Sequence, residues 1–259
     1  MADHPLVRSD TAITTSSGTA ASQISEFVMM LMLSLGHGIP RMYEDRVTRS
    51  WSEDYFDQHP PVELRGSLVG IVGYGSVGRQ VARLCHAYGA SVVATKRNIG
   101  QLKDEGYHIP GIGDPDGCLV DRVYEVEELC TMVSSCDFIV VAVPLTSRTH
   151  GLVDWRVLES MKTTAYLVDV SRGGVVDHAA LIEALKGKNI AGAALDVFPT
   201  EPLPQDSLLW DMPNVILSSH VAGASKYIYR RTMDLFIENL RRYLSGLPLL
   251  NRFDPSQGY

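Results

Sequence analysis

Three closely spaced glycines, Gly73, Gly75 and Gly78, constrain the fold of this chain more than any other feature. They follow an apolar run at 68–72 and precede a helical pattern at 77–88. In this context the first glycine permits a tight turn, the second lets the backbone approach a pyrophosphate, and the third lets the helix pack closely on the strand. Free N–H groups at the helix N-terminus would then favour the phosphates. The sequence therefore predicts a strand, a turn and a helix that together bind a dinucleotide.

Strands and helices alternate along the rest of the chain. Several predicted strands are almost purely apolar, as expected for parallel strands that are buried on both faces. This alternation predicts an α/β fold with a doubly wound, Rossmann-type parallel sheet. The predicted strands are 68–72, 91–95, 138–143, 165–170, 190–195 and 215–218. The predicted helices are 21–46, 77–88, 126–132, 155–161, 177–185 and 224–245, and residues 97–121 are predicted to form a surface excursion.

Composition limits the partners of the chain. The 259 residues carry a formal net charge of −7, which argues against nucleic acid or an anionic membrane as the main partner. The most apolar run, residues 27–35, is shorter than the roughly 20 residues of a membrane-spanning helix. Cys85, Cys118, Cys130 and Cys136 have neither metal-ligand spacing nor a C-x-x-C pair. We therefore expect reduced thiols, no metal site, no nucleic-acid or membrane partner, and a cytoplasmic location.

The helix predicted at 21–46 has a centre, residues 27–33, that is apolar on every face. Such a helix must be covered on all sides, either deep within its own domain or at a contact between subunits. The interpretation we favour is a subunit interface, because a connecting helix near the start of a chain is rarely the centre of a single core. We therefore expect a homodimer built through the helix around Phe27 to Leu35.

The end of the second predicted strand indicates which dinucleotide binds. NAD-binding folds usually have an acid there, about twenty residues after the glycines, which binds the ribose 2′-hydroxyl. This chain has Thr95, Lys96 and Arg97 instead, with no carboxylate. The cations could be ordinary solvated charges at a strand end. Two cations and a hydroxyl nevertheless suit a 2′-phosphate, and the missing acid independently supports a site for this phosphate. We therefore expect NADP(H) to be preferred, with NAD(H) as the alternative.

Arg172, Glu201 and His220 each follow a different predicted strand. Because the carboxyl ends of parallel strands share one edge, these side chains should meet where this fold places its ligands. An arginine there can anchor an anionic substrate and polarise its carbonyl group. A histidine with a carboxylate partner has a raised pKa and can donate a proton near neutral pH. Taken singly, each residue is more typical of a structural or surface role, but together they fit reduction of a 2-oxo acid, with His220 protonating the new alkoxide.

These residues lie in longer motifs that occur in a characteristic order. The motifs are LRGSLVGIVGYGSVG at 64–78, VPLT at 143–146, SRGGVVD at 171–177, ALDVFPTEPLP at 194–204 and HVAGA at 220–224. In these motifs the chain resembles the D-isomer-specific 2-hydroxyacid dehydrogenase family, and its pattern is most similar to glyoxylate and hydroxypyruvate reductases and to phosphoglycerate dehydrogenases. The resemblance implies that Arg172 binds substrate, that His220 is the acid and base, and that Glu201 pairs with His220.

The resemblance also implies contacts to the cofactor. It places Asp196 by the nicotinamide amide, and it places Val143, Pro144 and Thr149 along the adenosine side. It further implies a homodimer built partly on the apolar helix near Phe27. The full set of expected cofactor-binding residues is Gly73, Tyr74, Gly75, Ser76, Val77, Gly78, Thr95, Lys96, Arg97, Val143, Pro144, Thr149, Val170, Ser171, Arg172, Asp196, His220 and Gly223.

The chain departs from the family pattern in three places. Asp169 stands where the family commonly has an asparagine. Lys96 replaces the ribose-binding acid, as in the NADPH-using glyoxylate and hydroxypyruvate reductases of the family. The N-terminal substrate domain is expected to be largely missing. Residues 1–20 would then be a weakly attached remnant or linker, residues 21–246 the dinucleotide-binding domain, and residues 247–259 a tail that returns toward the substrate domain.

Two classes of function follow from these observations. The first is an NAD(P)H-dependent oxidoreductase, acting on the CH–OH group of donors, that reduces a small 2-oxo acid such as glyoxylate or hydroxypyruvate. Because half of the cleft that excludes water would be absent, we expect impaired turnover. The second is an NAD(P)H-sensing binding module of the corepressor type that has no turnover. The presence of Arg172, Glu201 and His220 together favours the enzyme, since a sensor needs no proton donor.

Overall fold

The computed structural model describes residues 9, 11–51, 53 and 60–255. Its strands are β1 (Leu68–Val72), β2 (Ser91–Thr95), β3 (Arg122–Tyr124), β4 (Phe138–Val141), β5 (Tyr166–Asp169), β6 (Gly192–Leu195) and β7 (Val215–Leu217). Its helices are α1 (Ala21–Gly36), α2 (Ile39–Thr48), α3 (Ser76–Ala87), α4 (Leu129–Val133), α5 (Trp155–Ser160), α6 (His178–Lys186) and α7 (Ile228–Leu244). The strands of these residues form one parallel sheet in the order β3-β2-β1-β4-β5-β6-β7. This order confirms the doubly wound Rossmann-type fold.

Side chains along the strands alternate between two hydrophobic cores. In β1, Val69 and Ile71 pack into one core, whereas Val72 packs into the other. Helices α1 and α3 cover the first core, and α4, α5 and α6 cover the second. Successive side chains of a strand point to opposite faces of the sheet. Apolar residues on both faces are typical of a parallel strand that has helices on both sides. The apolar runs in the sequence therefore reflect burial on both faces.

The helix predicted over 21–46 is two helices, so the prediction of one continuous helix is wrong. The chain turns at Gly38, which has a φ of 69°, and Pro40 lies in the first turn of α2. Glycine adopts a left-handed φ without strain, and proline suits the start of a helix because its missing N–H has no helical partner there. Helix α1 packs on α3 and on the sheet, yet Met30 remains 47% exposed. The apolar centre of α1 is therefore not fully covered within this chain.

Several predicted elements differ at their ends. The last helix starts at Ile228 and not at 224, and the strand predicted over 138–143 ends at Val141. The edge strand β3 was not predicted, because three residues are too few to show a period. The helix predicted over 126–132 begins as a 3-10 turn, closed by a reciprocal capping box between Glu125 and Glu128.

One face of α7 carries an apolar stripe that is exposed in this chain, made of Tyr229, Met233, Phe236, Leu240 and Leu244. Phe236 is 60% exposed, whereas Leu235 and Asn239 form the buried side of the helix. The side chain of Asn239 accepts a hydrogen bond from the Leu250 N–H at 2.8 Å and donates one to the Leu250 carbonyl oxygen at 3.1 Å. A polar contact therefore attaches the segment after α7 to the helix.

Residues 15–17 are held more firmly than the sequence predicts. The Asn251 amide nitrogen donates to the backbone oxygens of Thr15 and Ser17, at 3.3 and 2.8 Å. Its amide oxygen accepts from the Tyr107 N–H at 3.0 Å. The expectation of weak attachment is therefore wrong for this stretch. Part of that expectation, and part of the predicted C-terminal tail, concern residues 1–8, 10 and 256–259, which lie outside the described residues.

Candidate active site

The loops that carry the predicted site residues leave one edge of the sheet. The strand ends are in register across five neighbouring strands. The row of adjacent residues is Val72, Val141, Asp169, Leu195 and Leu217. Neighbouring strands lie about 4.8 Å apart, so the segments that follow these residues start side by side. The structure thus brings together loops that are distant in the sequence.

The glycine turn has the geometry that its sequence predicts. Gly73 has a φ of 102°, which is strained for a residue with a β-carbon. A β-carbon at Gly78 would lie 2.3 Å from the carbonyl oxygen of Gly73, so α3 packs too closely there for a larger residue. At Gly75 a β-carbon would meet no atom within 4 Å, so this backbone is open at the N-terminus of α3. The opening suits a phosphate, because the first N–H groups of a helix have no helical acceptors.

A cleft of about 590 Å³ extends from this turn to the ends of β4 and β5. Its volume lies in the range of small-molecule and cofactor sites. The predicted cofactor-binding residues that line it are Gly75, Ser76, Val77, Val143, Pro144, Val170, Ser171, Arg172 and Gly223. The opposite wall is the Ser/Thr-rich segment from Thr15 to Ala20, together with Ile228 and Thr232 of α7. Sequence reasoning missed this wall, since its contribution depends on how the segment is held.

Two of the predicted cofactor-binding residues have internal contacts instead of lining the cleft. Tyr74 is 2% exposed, and its hydroxyl donates to Asp114 at 2.6 Å. The guanidinium of Arg79 lies 4.9 Å from the centre of its ring. Tyr74 thus helps to attach the 97–121 excursion beneath the glycine turn. The hydroxyl of Thr149 donates to the Pro144 carbonyl oxygen at 2.6 Å and closes the loop after β4.

The cations after β2 lie near a buried arginine. Lys96 is half-buried, and its pKa is lowered, first because burial disfavours the ammonium form and second because of the positive charge of Arg79. Arg97 is exposed, whereas Thr95 is buried. Arg79 is itself buried and donates to two backbone oxygens of the excursion. Asp104 partly offsets this charge, since its Oδ2 lies 3.7 Å from Nε of Arg79. Three cations and one carboxylate thus meet where the sequence predicts a 2′-phosphate.

His220 and Glu201 form a hydrogen-bonded pair. Nδ1 of His220 lies 2.8 Å from Oε2 of Glu201, and the Phe198 N–H donates to Oε1 of Glu201 at 3.0 Å. The pKa of Glu201 is lowered, first by the hydrogen bond to His220 and then by the one from Phe198, with a smaller contribution from the positive charge of Arg172. The carboxylate is therefore ionised, and Arg172 lies within electrostatic reach of the pair. Nε2 is the nitrogen of His220 that remains available to a substrate.

Asp196 holds the turn that presents His220. Its Oδ1 accepts from the Ser218 hydroxyl at 2.7 Å and from the Val221 N–H at 2.8 Å, and its Oδ2 accepts from the Ala222 N–H at 2.9 Å. His220 lies between these bonds and has a φ of 54°, a left-handed value that is costly for a residue with a β-carbon. One buried carboxylate therefore fixes the backbone on both sides of His220. Sequence reasoning did not find this contact.

Asp169 is fully buried at the end of β5. Its Oδ1 accepts from the N–H and the hydroxyl of Ser171, at 2.9 and 2.5 Å, whereas its Oδ2 has no hydrogen-bond partner among the described residues. Burial raises the pKa of Asp169 from 3.8 to about 6, against the opposing effect of the bonds from Ser171. The nearby charge of Asp196 raises it slightly further. The charged form is thus disfavoured in the folded chain.

We expect Asp169→Asn to stabilise the fold at neutral and alkaline pH but not in acid. The pKa of Asp169 is higher in the folded chain than in the unfolded chain, so its protonated form stabilises the fold. This stabilisation is complete below about pH 4 and is lost as the pH rises through about 6. Asparagine removes this loss, which corresponds to roughly 3 kcal/mol above that range. Thermal unfolding at about pH 4, 6 and 8 measures it. The exposed substitution Asp206→Asn is the control, and an equal Tm shift at all three pH values would contradict the prediction.

Among the residues that the structure describes, no group of three or more His, Cys, Asp or Glu side chains is placed to hold a metal ion. None of the helices described combines the length and the hydropathy that a membrane span requires.

The family of the chain follows from comparison with known proteins. Residues 29–222 match the model of the D-isomer specific 2-hydroxyacid dehydrogenases, NAD binding domain. The chain belongs to this family. It therefore contains an NAD(P)-binding domain, and the family acts on small 2-hydroxy and 2-oxo acids.

Individual relatives agree with this membership. Glycerate dehydrogenase of Methylorubrum extorquens is 34% identical over 236 residues, which cover 88% of this chain and 67% of that protein. Glyoxylate reductase of Thermofilum pendens is 33% identical over 237 residues, covering 90% and 65%. The chain thus spans about two thirds of the length of these relatives. A solved D-isomer specific 2-hydroxyacid dehydrogenase from Xanthobacter autotrophicus, in complex with NADPH and MES, has a TM-score of 0.79 at 30% identity, covering 97% of this chain and 95% of that chain.

Proposed function

We propose that the protein reduces a small 2-oxo acid, such as glyoxylate or hydroxypyruvate, to the 2-hydroxy acid with NAD(P)H. The observation that carries this proposal is the 2.8 Å pair of His220 and Glu201, within electrostatic reach of Arg172 at the carboxyl edge of the sheet. A proton donor, its carboxylate partner and an anion-binding arginine are the groups that this reduction needs. The names of the two relatives, glyoxylate reductase and glycerate dehydrogenase, support the substrate class.

The cleft residues fit a dinucleotide. The open backbone at Gly75 would hold the pyrophosphate at the N-terminus of α3, and Val143 and Pro144 would line the adenosine side. The positive charge at Lys96 and Arg97 would meet the ribose end. When bound, the reduced nicotinamide supplies a hydride to the carbonyl carbon of the substrate.

Side chains of this protein would bind the carboxylate of the substrate and donate a proton to its carbonyl oxygen. Arg172 would bind the substrate carboxylate and polarise the adjacent carbonyl group. His220 would hold a proton on Nε2 and donate it to the carbonyl oxygen as the alkoxide forms. Glu201, ionised and bonded to Nδ1, would orient the imidazole and stabilise its protonated form. Asp196 would keep the turn of His220 in place through its three hydrogen bonds.

We expect His220→Ala to lower kcat for 2-oxo acid reduction by about 100-fold or more, because the proton donor is lost. NADPH affinity should stay within about twofold, because His220, although expected among the cofactor-binding residues, does not line the cleft assigned to the dinucleotide. We also expect Glu201→Gln to lower kcat, because a neutral amide replaces the ionised acceptor that orients the imidazole through Nδ1. Absorbance of NADPH measures turnover, and fluorescence titration measures binding. Absent or unchanged turnover with intact NADPH binding would favour a sensing module instead.

We also infer a preference for NADP(H) over NAD(H). Lys96 and Arg97 follow β2 where NAD-binding folds have an acid, and the buried Arg79 adds positive charge close by. A phosphate dianion there would relieve the repulsion among the cations. The Xanthobacter autotrophicus structure, which is in complex with NADPH, supports this inference.

The double variant Lys96→Ala, Arg97→Ala is expected to raise the Kd of NADPH by about tenfold to 100-fold and to leave the Kd of NADH nearly unchanged. The reason is that charge-assisted bonds to the 2′-phosphate would be lost, and NADH has no such phosphate. Isothermal titration of both cofactors measures the effect. Lys186→Ala, which removes an exposed cation on α6, is the control. Equal weakening of both cofactors would contradict the assignment.

We further propose a homodimer formed through α1 and α2. Met30, Ile39 and Tyr43 are 47%, 47% and 61% exposed. With Trp210 they line a surface groove of about 490 Å³. Large apolar side chains that are exposed together on a surface are typical of a protein interface.

We expect the unmodified protein to sediment as a dimer and the double variant Met30→Glu, Ile39→Glu to sediment as a monomer, because charged side chains would be buried at the contact. Phe236→Glu, on the exposed face of α7, is the matched control and should remain dimeric. Analytical ultracentrifugation distinguishes the forms. A monomeric unmodified protein, or a dimer that only Phe236→Glu dissociates, would overturn the proposal.

A further inference from the structure

The carboxylate of Asp104 lies among the cations at the end of β2. Its Oδ2 is 3.7 Å from Nε of the buried Arg79, and the Asp104 side chain is 20% exposed. Burial and the charge of Arg79 lower the pKa of Lys96, whereas the charge of Asp104 opposes both effects. Asp104 therefore places negative charge near both cations, although residues 96–103 include no acid.

The backbone of the 97–121 excursion fixes the direction of this carboxylate. Oδ1 of Asp104 accepts from the Gly106 N–H at 3.1 Å, in a turn that aspartate commonly forms with the residue two positions later. The Asp104 N–H donates to the Pro115 carbonyl oxygen at 2.8 Å. Because Oδ1 is engaged in its own turn, Oδ2 is the oxygen that faces Arg79. The fold of the excursion thus sets the position of the negative charge.

Asp104 also lies close to the start of α3, at one end of the dinucleotide cleft. Gly18, Ser76, Arg79 and Asp104 are among the residues that line a small space of about 10 Å³. Gly18 and Ser76 also line the cleft assigned to the dinucleotide. The carboxylate and the cleft thus share two wall residues, one of them in the first turn of α3.

A 2′-phosphate and Asp104 would compete for the same positive charge. Arg79 is buried and already donates to backbone oxygens of the excursion. A phosphate dianion held by Lys96 and Arg97 would bring a second anion to a group of cations that Asp104 partly neutralises. NADH has no 2′-phosphate and does not meet this repulsion. Selectivity between two ligands depends on repulsive groups as well as attractive ones.

We propose that Asp104 is a specificity-determining residue whose carboxylate opposes the 2′-phosphate and narrows the difference in affinity between NADP(H) and NAD(H). The proposal rests on the phosphate site inferred at Lys96 and Arg97. It differs from the usual arrangement of this fold, in which an acid at the end of the second strand binds the ribose hydroxyl. Here the acid comes from the excursion and acts through the cations.

Titration calorimetry with two nucleotides that lack nicotinamide tests this role. Adenosine 2′,5′-bisphosphate carries the 2′-phosphate, and adenosine 5′-monophosphate does not. Asp104→Asn removes the charge and keeps an oxygen that can accept from the Gly106 N–H. We expect it to lower the Kd of the bisphosphate about threefold to tenfold, because a like charge is removed, and to change the Kd of the monophosphate less than about twofold.

Two further variants complete the test. Glu105→Gln makes the same charge change at an exposed neighbour that accepts from the Gln101 side chain, and it should change neither Kd by more than about twofold. Asp104→Ser also removes the charge and keeps a hydroxyl for the Gly106 N–H, so it should shift the Kd of the bisphosphate in the same direction as Asp104→Asn.

The outcomes separate this role from the proposed function, because neither probe depends on reduction of a 2-oxo acid. An unchanged ratio of the two Kd values in both Asp104 variants, or weaker binding of both probes, would overturn the role of Asp104. If the unmodified protein binds the bisphosphate no more tightly than the monophosphate, the inferred preference for NADP(H) fails. In that case Asp104→Asn must create a difference between the probes, or the role of Asp104 fails as well.

Discussion

Parallel pairing of β1, β4, β5, β6 and β7 is the constraint on which the rest of this structure depends. The backbone ladder places five strand ends side by side, and the two apolar cores attach helices to both of its faces. Four of these strands, β1, β5, β6 and β7, deliver in turn the glycine turn, Arg172, Glu201 and His220 to one edge, and β4 delivers the loop with Val143 and Pro144. None of these groups is near the others in sequence, so the sheet itself creates the site.

Buried carboxyl groups fix the loops at this edge more precisely than the pairing of the strands does. Asp196 has its carboxylate oxygens occupied by the hydroxyl of Ser218 and by two backbone N–H groups, and it thereby holds His220 at a left-handed φ. Asp169, one strand away, is less well satisfied, since one of its oxygens has no partner among the described residues. The unbonded oxygen has a consequence for Asp169, since a buried carboxyl group that is only partly hydrogen-bonded favours its protonated form. The same edge thus contains one carboxyl group that supports the site and one that reduces stability as the pH rises.

Much of this arrangement was predictable from the sequence, because it is encoded locally. The glycine turn, the apolar strands and the order of the motifs each lie within short segments, and the common edge of parallel strands then implies that Glu201 and His220 meet. The features that were missed depend on contacts between distant segments. The sequence has a helical pattern on both sides of Gly38, so this pattern does not reveal the break between α1 and α2. Strand β3 is defined by its pairing with β2 and not by its own residues. The attachment of residues 15–17 comes from Asn251, far along the chain, and no local pattern reveals it.

A crystal structure of the protein with NADP⁺ and oxamate, an unreactive analogue of a 2-oxo acid, tests the convergence of the three side chains most directly. We expect Nε2 of His220 and the guanidinium of Arg172 to lie within about 3.2 Å of oxamate oxygens, with the nicotinamide ring against the same molecule. A nicotinamide bound away from His220, or an Arg172 that reaches no oxygen of the analogue, would contradict the shared site.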